Sequence, residues 1–323
     1  MILRTFMFPA SNAICLVLFL ALGNWYQSSQ ERLDSIAAPG VFVGLPSTTL
    51  HLHCTGAGED TVVLEAGLGG SYATWGHVQE LLEGEYRVCS YDRQGIGWSS
   101  EASEPSTPSL IAKNLHDLLR AADVDPPYIL VGFSAGGIHT REFYHLYPDL
   151  VAGMVLVDSS HDQQLRRLSM MRPLPADVPL YSLCDRLAWT GIIRLAGLGS
   201  SFSSMPKDSP YLRADAATLN RTEQCIGQLL EHRGLFNLLT QDREPRPLGD
   251  LPIYVLSRGA FHFRGGDDQA VSAYREAWSA MQSELAGLSS LSTLEVIDGV
   301  GHRIPTEAPQ AIKHAVDGLI NRP

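Results

Sequence analysis

The sequence predicts an α/β fold in which a mostly parallel sheet carries helices on both faces. Strand-like and helical segments alternate along most of the 323 residues. Several strand segments, such as 128–131 and 154–157, are continuous apolar runs, which is typical of parallel strands that are buried on both sides. Apolar residues make up 45% of the chain, enough to fill a large core.

Eight segments have the length and apolar content of strands, and the first two are expected to form an antiparallel pair: 41–43, 49–54, 61–65, 86–91, 128–131, 154–157, 253–256 and 293–297. Helical spacing predicts helices at 75–82, 109–122, 135–147, 269–285 and 307–320. The alternation lapses between about 159 and 250. That stretch is too long for a simple connection, so an inserted helical cap is expected there.

The N-terminal segment differs from the rest of the chain. Arg4 precedes an apolar stretch whose densest part is 14–22. Residues 1–26 are therefore expected to be a cleaved signal peptide or an uncleaved membrane anchor. The polar residues 27–38 are interpreted as a linker, and 39–323 as the folded domain. Either reading places the domain outside the cytoplasm, as a membrane-anchored protein facing outward or as a secreted or periplasmic one.

Charge and cysteine content restrict the partners. The chain has 24 basic and 35 acidic residues and no cluster of Lys or Arg, so it lacks the basic surface that nucleic-acid binding needs. Four cysteines follow the N-terminal segment, an even number that suits disulfides in an oxidising compartment. Their spacing is not that of a zinc site, and no metal or cofactor is expected. The four are Cys54, Cys89, Cys184 and Cys225.

Ser134 is the predicted nucleophile. It is the central residue of a G-x-S-x-G pattern that begins at Gly132 and ends at Gly136. An apolar strand precedes the pattern and a helix follows it, so the serine is expected on a sharp strand-to-helix turn that exposes its hydroxyl. The glycines permit this strained turn, and the helix N-terminus favours a developing negative charge.

A serine hydroxyl needs a base, and His302 is the predicted one. It follows the last predicted strand and precedes the last helix, so it is expected at the carboxyl edge of the sheet, within reach of Ser134. His161 and His262 lie on loops near the same edge and are the rival candidates.

The base in turn needs an acid that fixes its tautomer and stabilises its charged form. Asp158 directly follows a predicted strand, and its carboxylate is expected in the same crevice. The next strand, 253–256, is followed by no carboxylate before Asp267 and Asp268, which remain the alternatives.

Two backbone N–H groups are needed to hold an oxyanion. Ala135, directly after the nucleophile, supplies one. The glycine-rich turn that follows the third predicted strand is the expected source of the other, and Leu68 is the predicted donor.

Together these motifs resemble the α/β-hydrolase superfamily, from about residue 39 to the C-terminus. The resemblance rests on the runs 64–69, 91–99, 131–137 and 155–158 and on Gly301-His302. It implies a mostly parallel eight-stranded sheet, a helical cap, and the chain order of nucleophile, acid and base that Ser134, Asp158 and His302 follow. The position after the penultimate strand, where the family more usually carries its acid, is empty here.

The resemblance also implies a cysteine pairing and a reaction. In the family's sheet the strands that carry Cys54 and Cys89 are neighbours, so these two are expected to pair, which leaves Cys184 and Cys225 to pair within the cap. The implied activity is hydrolysis of a small-molecule carboxylic ester through an acyl-enzyme. A thioesterase, amidase or lactonase is the alternative enzyme, and a non-catalytic ligand-binding protein on the same fold is the alternative from another class.

Overall fold

The computed structural model describes residues 7–168, 179–199, 203, 205–241, 243–261 and 268–321. Its centre is one eight-stranded sheet with the strand order β1-β2-β4-β3-β5-β6-β7-β8. Strands β1 to β4 are Val41–Gly44, Thr49–Thr55, Thr61–Glu65 and Arg87–Tyr91; strands β5 to β8 are Tyr128–Phe133, Val151–Val157, Ile253–Arg258 and Ser292–Ile297.

The sheet confirms the predicted fold class. Strand β1 pairs antiparallel with β2, and β2 pairs antiparallel with β4. Every other neighbouring pair is parallel. The carboxyl ends of β3, β5, β6, β7 and β8 therefore lie along one edge, where loops from all five strands can meet.

Helices in the described part of the chain cover both faces of the sheet. Helices α1 to α6 are Met7–Ile36, Gly76–Leu82, Pro108–Ala121, Gly136–Leu146, Gln164–Leu168 and Pro179–Ala188. Helices α7 to α12 are Ile192–Leu195, Leu212–Leu219, Gln224–Leu239, Asp268–Ala286, Ile304–Glu307 and Pro309–Ile320. Short 3₁₀ helices lie at Tyr72–Trp75 and Pro148–Leu150.

Two apolar layers lie on opposite sides of the sheet, because successive strand residues point to opposite faces. One layer joins Val63 and Leu130 to α3, α4 and α10. The other joins Val62 and Val131 to α2 and α12. The segment between β6 and β7 carries α5 to α9 and corresponds to the expected cap; we call it the cap below.

Residues 27–36, for which the sequence predicts a linker, are helical and continue α1. The polar side chains of this stretch, which led to the prediction of a linker, contact the cap instead. Gln27 is buried and donates to the Asn220 carbonyl at 2.6 Å, and Asp34 pairs with Arg194 at 2.6 Å. The stretch before Pro39 also lacks the helix-breaking Gly and Pro of most linkers, so the helix continues.

Residues 12–22, in the apolar half of α1, are largely exposed in the structure. Within the described residues, no helix combines the length and the apolar character needed to cross a membrane.

Two disulfides are present, and they are the two pairs that the family resemblance implies. Cys54 and Cys89 are directly paired residues of β2 and β4. Cys184 and Cys225 join α6 to α9 within the cap. Cys15 on α1 is free and exposed.

Candidate active site

Ser134 lies on a tight turn between β5 and α4. Its φ is +54°, a left-handed conformation that is costly for a residue with a side chain. The Ser134 N–H donates to the Val157 carbonyl of the neighbouring strand at 3.0 Å, which fixes the turn against the sheet. The geometry is the strand–turn–helix arrangement that the sequence predicts for this residue.

Glycine is required at both ends of the motif because there is no room for a side chain, and not because either glycine has a positive φ. A Cβ at Gly132 would collide with Thr140 and the Gly136 carbonyl, and a Cβ at Gly136 would collide with the carbonyls of Glu65 and Ala66. Only glycine lets α4 start this close to β3, and this closeness sets the direction of the serine side chain.

The structure brings Ser134, His302 and Asp158 together in a hydrogen-bonded line. His302 Nε2 lies 3.1 Å from Ser134 Oγ, and His302 Nδ1 lies 2.5 Å from Asp158 Oδ2. Asp158 is fully buried, whereas the His302 side chain is partly exposed. With Nδ1–H donating to the carboxylate, Nε2 is free to accept the serine proton.

Asp158 is held by partners that sequence reasoning did not find. Trp278 on α10 donates its indole N–H to Asp158 Oδ1 at 2.8 Å, and the Arg258 backbone N–H donates to the same oxygen at 3.2 Å. The Arg258 guanidinium lies 3.4 Å from Oδ2 and 4.1 Å above the Trp278 ring. No local pattern marks Trp278, because it reaches the carboxylate only when α10 packs on the sheet.

Neither Asp268 nor His161 joins this line. Asp268 begins α10 and is not among the hydrogen-bond or ion-pair partners of His302 in the described residues, while Asp267 and His262 lie outside those residues. His161 is buried, its Nε2 lies 3.3 Å from Glu284, and burial lowers its pKa.

The predicted oxyanion donors also lie beside the serine. We call residues 67–70 the glycine turn. A Cβ at Gly67 would lie 3.2 Å from the Ser134 Cβ, so this turn passes directly over the nucleophile position. The N–H groups of Leu68 and Ala135 have no hydrogen-bond acceptor among the described residues, which leaves both available to a ligand oxygen.

A buried ionic cluster lies beneath the glycine turn. Glu65 and Arg93 belong to the sequence runs on which the family resemblance rests, whereas no sequence pattern singles out Glu231. Arg93 pairs with Glu65 at 2.7 Å and with Glu231 of α9 at 2.5 Å. All three side chains are at most 2% exposed. Burial opposes ionisation of Glu65, but Arg93, with the nearby His139 and Tyr91, holds the pKa of Glu65 below its usual value.

A cavity of about 440 Å³ adjoins the site, a volume within the range of small-molecule pockets. It lies between the glycine turn and the cap, and Leu68 is one of its lining residues. The cap contributes five aliphatic residues to the lining, and the polar lining residues are Thr74, Tyr181, Asp215, Gln224 and Gln228. In the described ranges, no three His, Cys, Asp or Glu side chains are grouped so as to hold a metal ion.

Residues 62–315 match the model of the "Alpha/beta hydrolase family". The chain belongs to this family. An "AB hydrolase superfamily protein" of Gibberella zeae is 35% identical over 213 residues, which are 65% of this chain and 63% of that protein. The chain spans between 16% and 63% of the length of the first five curated relatives that it matches, less than two thirds of each.

Solved structures of hydrolases share the fold. An esterase from Thermogutta terrifontis superposes with a TM-score of 0.61 at 22% identity, covering 88% of this chain and 98% of the esterase. An enol-lactonase from Burkholderia xenovorans superposes with a TM-score of 0.61 at 16% identity, covering 87% of this chain and 100% of the lactonase. At these identities the likeness concerns the fold, and the chemistry has to be argued from the site.

Proposed function

We propose that this hydrolase-family protein is a serine carboxylic ester hydrolase that acts through an acyl-enzyme. The observation that carries the proposal is the hydrogen-bonded line from Ser134 Oγ through His302 to Asp158, at 3.1 and 2.5 Å. A serine at positive φ at the start of a helix, with a histidine within hydrogen-bond distance and a buried carboxylate behind it, is arranged for nucleophilic attack.

The proposed reaction has two halves. Ser134 Oγ attacks the ester carbonyl carbon while His302 Nε2 takes its proton, and the N–H groups of Leu68 and Ala135 hold the oxyanion. The alcohol leaves with the proton from His302. Water then attacks the acyl-enzyme while His302 accepts a proton from it, and His302 returns this proton to Ser134 Oγ as the bond to the acyl group breaks and the acid leaves. Asp158 keeps His302 in the tautomer that both halves need.

The adjoining cavity supports an ester with an apolar acyl chain. It begins at Leu68, one of the proposed oxyanion donors, and continues between aliphatic side chains of the cap such as Leu187 and Leu219. Burying methylene groups there is favourable. A series of p-nitrophenyl esters from acetate to longer acids is expected to show kcat/KM rising with chain length. Leu187→Trp, which fills the cavity, is expected to abolish that rise while leaving acetate hydrolysis near the unsubstituted level.

A fluorophosphonate probe tests the nucleophile directly. The probe phosphorylates an activated serine oxygen with loss of fluoride, so the protein is expected to be labelled and to lose ester hydrolysis at once. Ser134→Ala is expected to abolish both labelling and hydrolysis, while Ser159→Ala, a buried serine near the same sheet edge, keeps both. Labelling that persists in Ser134→Ala, or a native protein that is neither labelled nor active, contradicts the proposal and favours a binding role.

The same catalytic line fits thioesters, amides and lactones, since each passes through a tetrahedral oxyanion. Comparing kcat/KM for an ester, its thioester, its amide and a lactone of equal size distinguishes these substrates. As to location, the two disulfides support a protein that folds in an oxidising compartment, as a secreted, periplasmic or outward-facing membrane-attached protein.

A further inference from the structure

The glycine turn has one internal backbone hydrogen bond, from the Gly70 N–H to the Gly67 carbonyl at 3.0 Å, and side chains beneath it bind its other inward-facing polar groups. A turn that presents an N–H to a reacting oxygen must keep its peptide planes fixed, and glycines by themselves leave them free to rotate. In this protein the polar groups of the turn that face inward have buried partners, and the most important are Arg93 and Glu231.

Arg93 binds the carbonyls of the turn. Its Nη1 donates to the Ala66 carbonyl at 2.9 Å, and its Nη2 donates to the Gly67 carbonyl at 2.8 Å and to the Gly70 carbonyl at 3.4 Å. One planar guanidinium thus binds the peptide group between Gly67 and Leu68, to which the Leu68 N–H belongs, and also the carbonyls of Ala66 and Gly70. Its geometry is rigid, because Glu65 and Glu231 hold the remaining donors.

Glu231 binds both the turn and Arg93. Its Oε2 accepts the Gly69 N–H at 2.8 Å and Arg93 Nη2 at 3.0 Å, while Oε1 accepts Arg93 Nε. The Gly69 carbonyl accepts from Gln224 at 3.1 Å, on the same helix of the cap. The cap therefore fixes the peptide groups on the two sides of Gly69, while the Leu68 N–H has no acceptor among the described residues.

The charge of Arg93 is stable against pH. Burial would lower the pKa of Arg93, but Glu231 and Glu65 raise it above its ordinary value. Arg93 therefore stays protonated across the working range of a hydrolase and keeps its charge for the contacts to the turn.

We propose that Glu231 and Arg93 are positioning residues that set the direction of the Leu68 N–H, so that helix α9 of the cap is part of the oxyanion site. This role rests on the proposed ester hydrolysis, because it matters only where an oxyanion forms. The cap would then have a second role besides lining the cavity. A displacement of α9 would also move the Leu68 N–H that binds the oxyanion.

Glu231→Gln tests the role, because it keeps the shape of the side chain but removes the charge that orients Arg93 and Gly69. We expect kcat for a short p-nitrophenyl ester to fall about 10- to 100-fold, less than the roughly 100- to 1000-fold loss when an oxyanion donor is deleted. KM is expected to change little, because the ground-state ester does not need this donor.

A pair of inhibitors separates positioning from general damage. A trifluoromethyl ketone accepts the Ser134 oxygen at its carbonyl carbon, the serine proton passes to His302, and the carbonyl oxygen becomes an oxyanion. The matching secondary alcohol forms no oxyanion. Glu231→Gln is expected to weaken the ketone by about the same factor as kcat and to leave the alcohol unaffected.

Asp162→Asn is the matched control. It also breaks a buried ion pair, which joins the cap to Arg141 of α4 at 2.7 Å, and the described partners of Asp162 include no residue of the glycine turn. Thermal midpoints of both variants are measured beside the kinetics. If Glu231→Gln does not fold, Glu231→Asp replaces it, since the shorter carboxylate keeps its charge but cannot reach both Arg93 and the Gly69 N–H.

Three outcomes are distinguishable. A loss of kcat and of ketone affinity in the Glu231 variant, but not in Asp162→Asn, supports the positioning role. The positioning role is overturned if the native protein is active but both variants lose activity equally. It is also overturned if Glu231→Gln leaves the ratio of ketone to alcohol affinity unchanged. In both cases the proposed function stands. A native protein without esterase activity or phosphonate labelling overturns both.

Discussion

At the scale of single residues, Asp158 has the most contacts of any member of the proposed triad. One oxygen faces His302, and the other accepts two N–H groups, from Trp278 and from the backbone of Arg258. Its φ of +41° shows that the chain turns sharply directly after β6 to place it there. A carboxylate fixed in this way restrains the ring of His302 as well.

Asp158→Asn is predicted to lower kcat by roughly 10³- to 10⁴-fold, because an amide cannot hold the histidine in the productive tautomer or stabilise its charged form. Asp268→Asn is the control, since Asp268 stands at the start of α10 and is not among the described hydrogen-bond or ion-pair partners of His302. Initial rates with one ester decide the matter, and Asp267→Asn is measured alongside. Full activity of Asp158→Asn would refute the assignment.

Asp215 in the cavity wall leads to a prediction about pH. Burial raises the pKa of Asp215, although hydrogen bonds from Ser203 and Ser71 act in the opposite direction. The folded state therefore holds this proton to higher pH than the unfolded chain does. It follows that stability is lost as pH rises from the unfolded pKa of about 3.9 through the raised value.

We therefore expect Asp215→Asn to raise the thermal midpoint at pH 7, because the unfolded chain ionises this carboxyl freely there whereas burial opposes its ionisation in the folded state. The gain should vanish below about pH 4, where Asp215 is protonated in both states. Calorimetry of both proteins from pH 4 to pH 7 measures this. A gain that is the same at every pH would show that packing, rather than ionisation, is responsible.

At the scale of elements, the close packing of α4 against β3 sets the position of the site. Gly136→Ala is expected to cost about 1–3 kcal/mol of unfolding free energy, the usual effect of forcing a methyl into a packed contact, because the new Cβ would meet the carbonyls at the end of β3. Urea unfolding measures this. Gly84→Ala is the control: no atom lies within 4 Å of its added Cβ, and a change near zero is expected.

The same scale shows how far sequence alone reaches. Ser134 and Asp158 could be placed because each follows an apolar strand directly, and His302 because it lies between the last strand and the last helices. Trp278 and Glu231 could not be placed, since each reaches the site only through the packing of a long helix whose local sequence is ordinary. Polarity alone misassigned residues 27–36, because polar side chains that bind a neighbouring element look like those of a linker.

At the scale of the whole molecule, the disulfides stabilise sheet and cap separately. The two bridges span 35 and 41 residues of chain, and loops of that length correspond to about 4 kcal/mol each in the chain-entropy model. Reduction is therefore expected to lower the thermal midpoint markedly. Thiol titration of the denatured protein should give one free thiol without reductant and five with it; an unchanged count would contradict both bridges.

The N-terminal helix has two halves with different relations to the fold. Its residues 12–22 are largely exposed, while Gln27, Glu31 and Asp34 form hydrogen bonds and an ion pair with the cap. A chain shortened to begin near Trp25 would therefore lack most of the exposed apolar surface of this helix and would retain all of these polar contacts. For anyone preparing the protein, that boundary separates a form prone to aggregate from one whose N-terminal helix still contacts the cap, and it is the natural starting point for crystallisation and assay.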